Sequence, residues 1–85
     1  MPKIELFSSG MCGYCVAAKN LLVSRGLPFE EIRVDRDPAL RMEMAQRARG
    51  HRSVPQIFID GRHVGGYDEL LALSRAGGLP SPDEA

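Results

Sequence analysis

Eighty-five residues suffice for one domain, because two halves would each be too short to bury a core of their own. Apolar residues at 44% and charged residues at 26% match an average globular protein and exclude a disordered chain. Eleven Lys plus Arg balance eleven Asp plus Glu, so the electrostatic attraction that dominates nucleic-acid binding is missing, and no nucleic-acid partner is expected.

The first strand is predicted at Lys3 to Phe7, where polar and apolar residues alternate with one side toward a core. Ser8-Ser9-Gly10 turns the chain. From Tyr14 to Arg25 the residues Ala17, Ala18, Leu21 and Leu22 recur at helical spacing, and Gly26-Leu27-Pro28 ends the helix. Phe29 to Val34 reads as a second strand. Asp37-Pro38 is a helix cap followed by proline at the first helical position, with Glu43 and Arg47 four apart, and this helix runs to about Arg49. Gln56 to Ile59 and Arg62 to Val64 flank Asp60-Gly61, a two-residue hairpin signal. Asp68 is a candidate cap for a last helix carrying Leu70, Leu71 and Leu73, closed by Gly77-Gly78. Residues 1–78 are therefore expected to form the domain and 79–85 a flexible tail.

Right-handed crossovers make the first two strands parallel, and the hairpin adds two more to the same sheet. The expectation is an α/β fold of the thioredoxin-like class: a four-stranded mixed sheet in the order β-α-β-α-β-β-α, with helices on both faces. No apolar run approaches the about 20 residues of a membrane span. The N-terminus lacks the apolar segment of a secretory signal. A cytoplasmic monomer without a membrane partner is expected.

Two cysteines, Cys12 and Cys15, are too few and too close for a structural disulfide framework. At a helix start this spacing puts the first sulfur at the exposed end and the second beneath it. Only a thiolate attacks disulfides. Unpaired backbone N–H groups and the helix dipole favour an anion at Cys12 by up to about 2 kcal/mol. Three other readings compete: two buried structural thiols, half of a zinc site completed by His51 and His63, and a fixed disulfide. The turn around Cys12 opposes the first. The histidines' separation, wider than usual for zinc ligands, opposes the second, and a reducing compartment opposes the third.

Cys12-Gly13-Tyr14-Cys15, then Ser53-Val54-Pro55-Gln56-Ile57-Phe58-Ile59, then Gly65-Gly66-Tyr67-Asp68 resembles the glutaredoxins, dithiol type, over about Lys3 to Gly78. Thioredoxins are longer and usually carry a tryptophan before the pair, and this chain has none. The resemblance implies a glutathione-disulfide oxidoreductase that reduces protein–glutathione mixed disulfides and protein disulfides. It makes Cys12 the nucleophile and Cys15 the resolving thiol. By the same resemblance Tyr14, Arg52, Ser53, Val54, Pro55, Gly66, Tyr67 and Asp68 bind glutathione, with Pro55 cis and Val54 pairing its backbone with the glutathione cysteine. Glutathione is then a co-substrate and no cofactor is tightly bound. Two departures stand out: Ser9 replaces the family's usual lysine near the thiolate, and Gly13 replaces its usual proline.

Two alternatives follow from the resemblance. One is a dimer bridging a [2Fe-2S] cluster through Cys12 and two glutathiones. The other is a redoxin serving ribonucleotide reductase with electrons from thioredoxin reductase.

Overall fold

The computed structural model describes residues 2–80. The elements in order are β1 (Ile4–Ser8), α1 (Gly13–Ser24), β2 (Glu30–Arg33), a single 3-10 turn (Val34–Arg36), α2 (Pro38–Arg47), β3 (Gln56–Ile59), β4 (Arg62–Gly65) and α3 (Tyr67–Arg75). The sheet runs β2-β1-β3-β4, with β1 parallel to β2 and antiparallel to β3, and β4 antiparallel to β3. This is the mixed sheet the pattern predicts. Among the described residues, no helix is long and apolar enough to cross a membrane.

The pleat sorts the core into two layers, because alternate residues of a strand point to opposite faces. Ile4 and Leu6 of β1 join Ile57 and Ile59 of β3 under α1 and α3, with Ala18, Leu22 and Leu70 from those helices. Phe7 and Phe58 face the other way, packed edge to face at 5.5 Å, under Val34, Met44 and Ala48. Helices therefore cover both faces. Each large side chain so buried contributes about 1.5 to 3 kcal/mol.

Several expectations shift. The alternation in β1 predicts one wet face, yet all five residues are buried. Glu5 lies inside because Arg47 of α2 clamps its carboxylate with two hydrogen bonds of 2.7 and 3.1 Å. Arg47 thus spends its guanidinium on Glu5, and the helix-spaced partner Glu43 stands off at 3.8 Å. Strand β2 stops at Arg33, since Val34 turns into the 3-10 segment and is buried under α2. Asp37 does cap α2, accepting from the Ala39 N–H at 2.9 Å. Asp60 and Gly61, both at positive φ, form the hairpin turn.

Asp68 does not cap α3. The cap is Gly66, which has no side chain to donate or accept, and the bond there comes from Glu69 three residues on, whose Oε1 accepts the Gly66 N–H at 2.7 Å. Gly65 before it sits at φ 125°, where a Cβ would also strike the Glu69 side chain. Leu79, expected in the tail, packs against the α1/α3 side of the core. Residues 81–85 of the expected tail lie outside the described residues.

Candidate active site

The loop after β1 delivers Cys12 to the start of α1. Arg33 pairs with Asp35 at 2.7 Å, and Asp35 in turn accepts the Gly10 N–H at 3.1 Å, which anchors the chain two residues before the cysteine. The guanidinium holds the Asp35 carboxyl down to about 2, with the Gly10 amide helping. Cys12 is the N-cap residue of α1 in extended conformation, and its Sγ accepts the Cys15 N–H at 3.2 Å. A sulfur, rather than the usual oxygen, caps this helix.

The two thiols have opposite surroundings. Cys12 is half-buried and Cys15 is fully buried in the first turn. Burial pushes the Cys15 thiol up to about 11, its hydrogen bond with Cys12 adds to the rise, and the Ser9 backbone and Lys19 pull weakly the other way. Lys19 is itself tied to Glu31 at 3.0 Å, on a carboxylate that also accepts the buried Ser8 hydroxyl at 2.6 Å. The Ser8 hydroxyl, ahead of Lys19, keeps Glu31 below the usual carboxylate range. Ser9 places no cation beside the pair, and the cations of this region, Lys19 and Arg33, are each engaged by a carboxylate.

Opposite Cys12 lies the loop Ser53-Val54-Pro55. The Val54–Pro55 bond is cis, and the Cys12 thiol reaches the Val54 carbonyl at 3.7 Å. Tyr14, Ser53, Val54, Pro55, Gly66, Tyr67 and Asp68 line one cavity of about 240 Å3 beside this contact. Tyr14, two-thirds exposed, and Tyr67 stand across it with ring centroids 6.1 Å apart. Seven of the eight glutathione-binding residues expected from the sequence are thereby brought together. Arg52 is not among them. It borders a separate cavity with Val34, Arg41 and Met42, and its carbonyl accepts from Arg41 at 3.0 Å.

The same cleft includes Glu69, which the sequence reading passed over. Its signal was present as an acidic residue three positions after Gly66, the spacing of a helix capping partner. Among the described residues, no three or more His, Cys, Asp or Glu side chains gather around one metal position, so His51 and His63 do not complete a coordination set with the cysteines. The two rings instead neighbour each other at 6.2 Å.

A sulfur capping a helix start, a buried second thiol and a facing cis-proline loop are the parts of a dithiol exchange site. The glutaredoxin family model matches residues 4–64. The chain belongs to the glutaredoxin family. It is 47% identical over 79 residues to glutaredoxin 3 of Escherichia coli K12, covering 93% of this chain and 94% of that one. A Pseudomonas aeruginosa glutaredoxin is 48% identical over 93% of both. Among solved structures, a buckwheat glutaredoxin–glutathione complex superposes with a TM-score of 0.81 at 34% identity, covering 89% of this chain and 71% of that chain. As a glutaredoxin the chain is a glutathione-dependent thiol oxidoreductase with a thioredoxin-like fold.

Proposed function

We propose that Cys12 carries the exchange and Cys15 resolves it, with glutathione seated in the cavity between Tyr14, the Val54-Pro55 loop and the Gly66-Tyr67-Asp68 turn. The observation that supports this most is the placement of the Cys12 sulfur. It caps α1, where backbone N–H groups favour an anion, and it borders the cavity at Val54. The buckwheat relative, solved with glutathione, adds weight to that occupant.

In the monothiol route the Cys12 thiolate attacks the glutathione sulfur of a protein–glutathione disulfide. The protein leaves as a thiolate that takes a proton, and Cys12 becomes bonded to glutathione. A second glutathione thiolate then attacks that bound glutathione sulfur, releasing glutathione disulfide and the Cys12 thiolate. In the dithiol route Cys12 attacks a protein disulfide, and Cys15, once deprotonated, displaces the protein thiol to give a Cys12–Cys15 disulfide. Two glutathiones reduce it. Glutathionylated and disulfide-bonded proteins are the proposed substrates, in the reducing cytoplasm, where a dithiol stays reduced.

A glutathionylated peptide assayed with glutathione and glutathione reductase, or with thioredoxin reductase alone, tests the reading. Turnover is expected with glutathione. Turnover with thioredoxin reductase only would point instead to the redoxin that serves ribonucleotide reductase. A [2Fe-2S] cluster held through Cys12 would need a second chain, and air-free purification of a brown protein would reveal it.

A further inference from the structure

Behind the Ser53-Val54-Pro55 loop runs a polar chain that the exchange mechanism does not use. Gln56 opens β3 and is 4% exposed. Its Nε2 donates to the Ser53 carbonyl at 3.1 Å and reaches the Ser53 hydroxyl at 3.3 Å. Its Oε1 lies 2.6 Å from Nε2 of His63 in β4. The His63 ring packs beside that of Phe58, its cross-strand partner, with centroids 5.0 Å apart and a tilt of 30°.

An amide oxygen only accepts, so this contact requires the proton of His63 on Nε2. That proton decides which way the buried amide faces. With Oε1 committed to the imidazole, the NH2 group must point at Ser53. The flipped amide would set donor against donor at His63 and acceptor against the Ser53 carbonyl, leaving buried polar groups unpaired. Burial, with His51 and Arg49 close by, keeps His63 below its ordinary value, so the neutral ring is the one present at neutral pH.

We propose that His63, acting through Gln56, is a positioning residue that fixes the Ser53-Val54-Pro55 backbone for the glutathione half of a mixed disulfide. The proposal rests on the glutathione seat described above. It predicts that the relay governs substrate affinity rather than the reactivity of the sulfur.

His63→Phe keeps the ring beside Phe58 and removes the Nε2–H. With a glutathionylated peptide and excess glutathione, KM for the peptide is expected to rise about threefold to tenfold while kcat stays within about twofold, the size of one lost neutral hydrogen bond. His63→Gln offers an amide N–H at similar reach and is expected to bring KM back to within about twofold of the parent. An unchanged KM in folded His63→Phe overturns the proposal, as does a His63→Gln variant impaired as much as His63→Phe. A measurement on the unaltered protein stands apart from the variants' folding: nitrogen NMR is expected to find His63 as the Nε2–H tautomer, and the Nδ1–H tautomer overturns the relay. Failure of the parent chain to turn over the peptide would instead overturn the glutathione seat, because the tautomer is read without substrate.

Discussion

Glu69 Oε1 accepts the Gly66 N–H at 2.7 Å, so Glu69 ties the start of α3, while the neighbouring Asp68, which lines the same cavity, takes no part in the cap. The two acids, adjacent in sequence, therefore do different jobs. Asp68→Asn keeps the shape and removes the charge. In the proposed seat Asp68 meets the glutathione ammonium through a charge-assisted hydrogen bond worth about 1.5 to 3 kcal/mol, and Asn keeps an acceptor without the charge, so the apparent glutathione requirement should rise by up to about tenfold. Glu69→Ala should instead cost about 1 kcal/mol of stability through the orphaned Gly66 N–H. Urea midpoints and glutathione titrations of the two variants separate these effects, and the assignment fails if Asp68→Asn leaves the glutathione dependence unchanged.

Cys12→Ser should abolish exchange, since the other thiol, Cys15, is buried in the first turn. Cys15→Ser should keep deglutathionylation, because the bond that supports the Cys12 sulfur comes from the backbone N–H of residue 15 and survives the change of side chain. Reduction of a protein disulfide by the dithiol route should fall sharply in Cys15→Ser. Rates on a glutathionylated peptide and on a protein disulfide, compared for both variants, give the answer. A Cys15→Ser protein as inactive as Cys12→Ser on the glutathionylated peptide would rule out the monothiol route.

Local pattern made the strands, the caps at Asp37 and the Asp60-Gly61 turn, and the cysteine pair at a helix start readable from the chain, because each depends on residues close in sequence. What stayed hidden depends on distant partners. Glu5 reads as a wet strand position until Arg47, 42 residues on, is folded over it. Arg52 adjoins the Val54 loop in sequence, yet it borders the α2 side, where Arg41 binds its carbonyl. His63 invites a metal reading in one dimension, but its Nε2 is engaged by Gln56 in three. Asp68 and Glu69 compete for the same cap, and only the backbone course at Gly66 decides between them.

The Glu5–Arg47 pair makes the α2 side of the sheet sensitive to acid. Arg47 also spreads its guanidinium over Phe58 at 4.3 Å, so its removal loses packing and leaves a nearly buried carboxylate with only the more distant, exposed Lys3 at 4.0 Å. Arg47→Met should cost about 3 kcal/mol near pH 7, the lower end for breaking a buried pair. Arg47, through its hydrogen bonds, holds the Glu5 carboxyl below its unfolded value of 4.5. A depressed carboxyl stabilises the fold above the unfolded value, and that stabilisation is lost as pH falls through the folded one. The stability gap between parent and variant should therefore narrow as pH falls below 4.5. Urea melts of both proteins across that range measure it, and a gap that stays constant with pH would take Glu5 out of the account.

The buried Cys15 thiol gives the opposite pH dependence. Burial first, and its contact with Cys12 second, push it from 9.0 up to about 11. Between those values the unfolded chain has released a proton that the folded protein still holds, so stability falls as pH rises from about 9. The same shift governs reactivity, because resolution requires the Cys15 thiolate. Intramolecular closure of a Cys12 mixed disulfide should accelerate nearly tenfold per pH unit up to the approach of that range, as the thiolate fraction does for any group well below its midpoint. Iodoacetamide at neutral pH should label the folded, reduced protein once, at Cys12, and a second label should follow only after denaturation. Mass spectrometry of the labelled peptides and stopped-flow closure rates with a glutathione-loaded Cys12 provide both readouts. Equal labelling of the two cysteines in the folded state, or a closure rate indifferent to pH, would show that Cys15 is neither shielded nor protonated as its burial requires.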